Sequence, residues 1–332
     1  MSDGGGLEVL DVRPELLPDE PLPPALAAGA AERRRAIRVA AARTLGRRQA
    51  TKRVATVLCA VATAVCLAPL VALIAYTTAR GIHALSLGFL LHEPTPPGIP
   101  GGGIANAVVG SLLIVGLGAT LAIPLGILAA LFLFERRGMF ASALRLAGDV
   151  LAGVPSIAIG IFAYAVVVEP LGFSALAGSA ALGVLMLPIV MRSAEAAMRS
   201  VPVDLREAAL ALGARRSRVA RSVVLRGALA GLVTGSLLAL ARAVGETAPL
   251  LFTAFGNQFF NLSPTQPTAA LPLVIFSSGT QPFPDAQQVA WGTALVLLML
   301  VLVLSLGARA IAGRLTRTGR RAPGITEIAE GM

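Results

Sequence analysis

Charge is what this chain has least of. Only 14% of its 332 residues are Asp, Glu, Lys or Arg, where soluble domains carry about 25%. A water-exposed globule needs more, so an ordinary soluble fold is excluded. Metal-binding side chains are as scarce, with two His and two Cys. Cys59 and Cys66 stand seven apart on one helix face and show no ligand spacing, so they read as small packing residues. No metal site is expected. Aromatic residues make up 5%, and no basic run is interleaved with them. The net charge of +10 is therefore not read as a nucleic-acid footprint. The nucleotide-cradling pattern GxxxxGK[ST] is missing too. The chain is expected to hydrolyse no ATP, to bind no cofactor of its own and to hold no catalytic residue.

What is present is apolar. Hydrophobic residues make up 55% before the 35 glycines are added, and mean hydropathy is +0.77. The excess is gathered into runs near or above the roughly 20 residues that cross a bilayer as a helix. Six spans are expected, at 54–76, 104–134, 146–168, 174–191, 223–252 and 289–311, giving an all-α integral membrane protein. The second and fifth are long enough to tilt or protrude.

The basic residues fix the orientation. Ten lie at or before Arg53, three between 135 and 145, eight between 192 and 226, and five from Arg309 onward, or 26 of 28. Arg80 and Arg242 are the others, and none occurs from 243 to 308. This spacing puts an even number of spans between two cytoplasmic termini. Residues 1–53 form a cytoplasmic tail, acidic and Pro-rich to 30 and then basic, with the first part expected to be disordered. The membrane domain is 54–314, and 315–332 is a second cytoplasmic tail. No signal peptide precedes the first span, which reads as a retained anchor. The outward loops differ: 92–103 is "HEPTPPGIPGGG", and 256–288 is polar with a short patch, "ALPLVIFSS", suited to a re-entrant or interfacial helix.

Two places carry chemistry. The cytoplasmic elbow, 202–221, lies within "SVPVDLREAALALGARRSRVARSVVLRGAL". Asp204 is expected to cap a short helix with Glu207 in its first turn. Leu205, Ala208, Ala209 and Leu212 give it an apolar side, Gly213 ends it, and Ser217 caps the next helix. Such a helix either docks a partner or lies on the membrane surface. The second place is "LALARAVGETAPLLF", where Arg242 and Glu246 share a helix face inside an apolar run. Gly227, Gly231, Gly235, Ala239 and Ala243 recur every fourth residue and allow a close helix neighbour. Arg242 follows nearly the same stripe. An Arg facing lipid at mid-membrane costs about 2.5 kcal/mol or more, so it is expected to face a cavity or interface. The pair is then a structural salt bridge, a gate, or an anion contact in which the guanidinium meets an oxyanion. Asp149 is expected to cap the third span, and Pro155 and Pro188 to bend their helices.

The elbow resembles the EAA loop of permeases from ATP-binding-cassette importers. Glu207, Ala208, Ala209 and Gly213 match, Val223 and Leu225 take later positions, and Arg226 replaces the usual proline. More narrowly, "RAVGETAPLLFTA" (242–254) resembles the signature of the PstA-type permease family of phosphate importers. The stretches 101–135 and "DVLAGVPSIAIG" (149–160) are similar to its second and third spans. The resemblance covers about 54–314.

It implies a type I importer permease (MetI-like) in the bacterial cytoplasmic (inner) membrane, with phosphate as substrate. The elbow would dock an ATPase through Glu207, Ala208, Ala209 and Gly213. Arg242, Glu246 and Thr247 would line or gate the path. Implied partners are a homologous second permease (PstC-like), two ATPase subunits (PstB-like) carrying ATP–Mg, an extracytoplasmic phosphate-binding protein (PstS-like) and lipid. The rivals are a permease for another oxyanion such as molybdate or sulfate, a self-sufficient secondary transporter, and a non-transporting scaffold.

Overall fold

The computed structural model describes residues 24–96, 99 and 101–319. The tail segments 1–23 and 320–332 lie outside the described residues. The chain divides into two compact units, Met1–Ala72 and Leu73–Met332. Helix α1 (Pro24–Gly81) begins in the first and ends in the second, and it already runs through 24–30, within the segment whose composition predicts disorder. Pro24 suits a first helical position, and the Ala-rich segment after it has high helix propensity. Cys59 and Cys66 are free and exposed on α1, so they do not act as the small packing residues expected within the first unit.

The second unit is a helical bundle. After α1 come α2 (Leu87–Leu91), α3 (Ala105–Glu135), α4 (Met139–Gly153), α5 (Ser156–Ala163), α6 (Glu169–Leu171) and α7 (Ala175–Arg199). The elbow follows with α8 (Val203–Ala211) and α9 (Arg216–Val219), then α10 (Leu225–Val244), α11 (Ala248–Thr253), α12 (Leu271–Gly279) and α13 (Pro284–Gly319). No strand occurs among the described residues, only an isolated bridge between Phe255 and Thr268. Among the described residues five helices are long and apolar enough to span a membrane, and a bent pair, Met139–Gly153 with Ser156–Leu171, makes six if it is counted as one span.

In that bent pair the third span bends at Pro155, as expected, and the bend is a full break of the helix. The two arms meet at 102°. Val154 and Pro155 both have extended backbone there, with ψ of 131° and 135°. A residue before proline is kept out of helical geometry, and proline has no N–H to continue the ladder. Asp149 lies inside α4 rather than at its start and pairs with Arg192, so it is not a cap. Pro188, by contrast, sits within α7 without ending it. The fifth span is broken as well: α10 stops at Val244, and α11 starts after Gly245, Glu246 and Thr247. The short apolar patch forms α12, beside the outward loops.

α3 and α7 pack with small residues between them. A methyl group on Gly118 would stand 2.9 Å from the Ser179 carbonyl oxygen. Ile114, Leu182, Met186, Ala239 and Leu250 fill the middle of the bundle. Leu133, Met191, Met198 and Val224 close the elbow end, and Phe89, Ile104 and Leu271 close the other.

Candidate functional site: a charged helix break and an elbow helix

At the elbow, α8 begins at Val203 with Pro202 in the cap position and no side-chain cap. Asp204 is therefore not the cap. It sits in the first turn, where a carboxylate still favours the positive end of the helix dipole. Ser217 likewise lies inside α9, whose cap position is Arg215. The helix end follows the sequence more closely. Gly213 takes φ +81°, the Ala214 N–H donates to the Ala209 carbonyl at 3.1 Å, and the Gly213 N–H to that of Leu210 at 2.9 Å. These two bonds satisfy carbonyls the helix leaves open. α8 buries no residue: Glu207, Ala208 and Gly213 are exposed, Ala209 is half-buried, and Leu205 and Leu212 also face outward. Arg206 instead turns back, its guanidinium 5.1 Å above the Phe134 ring at the end of α3.

After α9 the chain makes a π turn, Ala220–Val224, before α10. The turn ends two residues before Arg226, the position at which the resembled loop carries its proline. A wider turn thus opens the span in place of a proline bend.

The glycine stripe of α10 lies against α7 and the residues just after it. A methyl on Gly227 would meet Val201 at 3.2 Å, one on Gly231 would stand 2.5 Å from the Ala197 Cβ, and one on Gly235 would overlap Ser193. Gly231→Leu is expected to lower the detergent melting temperature of the protein, because overpacking a tight contact costs about 1–3 kcal/mol. Gly116→Leu, with open space around it, is the control expected to change little. Equal melting temperatures for the two would remove the packing role of the stripe.

Arg242, Glu246 and Thr247 come together at the far end of α10, a helix of 20 residues and so about 30 Å from the elbow. The Arg242 Nε stands 3.7 Å from the Glu246 Oε1. The Arg242 side chain is 66% exposed and that of Glu246 20%. Leu185, Met186 and Ile189 of α7 form the wall of a shallow depression that this pair lines with Ala239 and Ala243. Thr247 takes the cap position of α11 without a side-chain cap bond, and its carbonyl accepts from the Leu251 N–H at 3.2 Å. Irregular backbone at membrane depth is tolerated where it lines a cavity or is covered by protein. The break therefore places a cation and a carboxylate side by side at one edge of the bundle.

On the side away from the elbow, an open cavity of about 710 Å³ is lined by His83, Asn106, Gln258, Ser277, Gln281 and Asp285, among others. Its described lining includes no Lys or Arg. Such a surface has little pull on a dilute anion.

The sequence reading passed over one cluster. Glu195 in α7 is buried, and Arg145, Arg192 and Arg199 surround it. Its signal was present: Arg192 and Arg199 stand three before and four after Glu195, and Arg145 and Asp149 are four apart on the preceding helix.

Comparison with known proteins bears on this architecture as a whole. Residues 122–318 match the family described as "Binding-protein-dependent transport system inner membrane component". The phosphate transport system permease protein PstA of Yersinia pestis is 42% identical over 71% of this chain and 81% of its own length. PstA 1 of Mycobacterium tuberculosis (strain CDC 1551 / Oshkosh) is 38% identical over 83% of this chain and 92% of its own. Among solved structures, an inward-facing MetNI methionine ABC transporter aligns with TM-score 0.51 at 20% identity, over 64% of this chain and 94% of that one, which bears on fold alone. A multi-pass helical bundle, an exposed elbow helix and a charged break in the fifth span thus occur in a chain that belongs to the binding-protein-dependent transport system inner membrane component family, among its PstA permeases.

Proposed function

We propose that this chain is the permease subunit of an ABC importer that moves inorganic phosphate into the cytoplasm across the bacterial inner membrane. One observation carries the substrate: the exposed Arg242 guanidinium at the α10–α11 break, in a chain whose relatives are named phosphate transport permeases. A guanidinium offers a planar pair of donors that fits an oxyanion, and the nearby Glu246 carboxylate competes for it, so the ion is held and released. Exposure of Arg242 in the single chain fits a path formed between two permeases, because a lipid-facing Arg would be costly. Energy comes from outside the chain. Two ATPase subunits bind ATP–Mg and dock on α8, a homologous permease completes the channel, and an extracytoplasmic phosphate-binding protein delivers the ion to the outer cavity, whose described lining has no Lys or Arg.

The test is reconstitution of the four components in proteoliposomes. ATP-dependent uptake of labelled phosphate, undiminished by excess molybdate or sulfate, is the expected result. Competition by either anion at equal concentration would move the substrate assignment to that oxyanion. Uptake by this chain alone, without ATPase, would replace the importer by a secondary transporter.

A further inference from the structure

α4 buries only two small residues in the bundle, with Leu144 partly buried beside them. Its buried residues are Ala141 and Gly148, while Met139, Phe140, Leu146 and Val150 face outward. Arg145 and Asp149 follow Ala141 at four and eight residues, so they continue the same face. Against that face stands the last part of α7. Arg145 Nη2 donates to Glu195 Oε1 at 2.7 Å, and Arg199 Nη2 donates to the same oxygen at 2.8 Å. Arg192 Nη1 stands 3.7 Å from Glu195 Oε2, and the other terminal nitrogen of Arg192 bonds Asp149. The Glu195 side chain is 6% exposed, so it is the buried centre of a knot whose arginines reach outward.

The knot lies where α7 gives way to the elbow. α7 ends at Arg199, and α8 starts at Val203. Between them Val201 is buried and would touch any side chain at Gly227. A displacement of α8 therefore enters the turn that contains Arg199 and Glu195. Separating α4 from that turn would strip a guanidinium from a buried carboxylate, which the low-dielectric interior resists. We propose that Glu195 is a positioning residue that ties α4 to the elbow end of α7, so that motion imposed on α8 carries α4 with it. This rests on the reading of α8 as the ATPase-docking helix.

The test uses the reconstituted importer and reads phosphate moved per ATP hydrolysed. Glu195→Gln keeps the shape and removes the charge. Arg145→Gln, combined with Asp149→Asn, removes both polar ties of α4 to α7 and leaves Glu195 paired with Arg199, so this variant spares the buried carboxylate and serves if the first does not assemble. Each is expected to retain the ATPase and hydrolyse ATP, while phosphate per ATP falls about 2- to 30-fold. Glu195→Asp, which keeps the charge, is expected to recover most of the ratio. A wild-type ratio in Arg145→Gln combined with Asp149→Asn would overturn the proposal while leaving ATPase docking on α8 intact. A wild-type chain that retains no ATPase would instead remove the docking reading, and this proposal with it.

Discussion

Replacing Arg242 by Ala is expected to cut phosphate uptake about 10- to 100-fold, the equivalent of roughly 1.5–3 kcal/mol for a lost hydrogen bond to a charged group. The protein should still fold, because the Arg242 side chain is 66% exposed and packs into no core. What the variant loses is the cation at the helix break, and what it leaves is worse for an anion than a neutral site. Glu246 stays in place with 20% of its side chain exposed and no guanidinium beside it. Arg242→Lys separates charge from geometry. It keeps the positive charge and loses the planar fork, so an intermediate rate is expected. Adding Glu246→Gln to Arg242→Ala should recover part of the uptake by removing the repelling carboxylate. Uptake of labelled phosphate by the assembled importer checks all three. A normal rate with Arg242→Ala would leave the pair as a brace between α10 and the start of α11 and nothing more.

Charge reversal at the elbow is expected to act on a different quantity. Glu207→Lys should weaken ATPase retention more than about tenfold, since losing one partner of a buried charged contact costs roughly 2–5 kcal/mol. The residue is exposed on α8, so its own chain hardly needs it, and changes at such positions alter stability within about 0.5 kcal/mol. The permease should therefore reach the membrane in normal amount and run normally on size exclusion, yet come away from purification without its ATPase. Phosphate uptake falls in proportion. If the ATPase stays bound and uptake is unchanged, α8 does not dock through this residue.

The span count, the elbow and the charged pair were legible in the sequence because each rests on composition or short spacing. Long apolar runs identify spans whatever their neighbours, and Gly213 announces a left-handed turn by itself. The bend at Pro155 was legible too, but not that it would break the helix while Pro188 would not. Pro155, Pro124 and Pro188 look alike as letters, but the two inside α3 and α7 are carried by continuous helices, and the first is not. Surrounding helices decide which proline is tolerated. The caps assigned to Asp204 and Ser217 failed because the preceding Pro202 and Arg215 already hold extended backbone, so each helix starts before its expected cap. The Glu195 cluster joins residues 50 apart in sequence, and no local pattern brings Arg145 to it.

The π turn at Ala220–Val224 fixes the rotational phase of everything that follows it. A π turn is an α-helix holding one residue more, and one residue is about 100° around the axis. Taking that residue out would leave every side chain of α10 chemically intact and aimed elsewhere. The glycines would turn off the neighbour they fit, and the guanidinium would swing away from its edge of the break. The insertion thus sets the aim of the Arg242 guanidinium almost the whole length of a helix away.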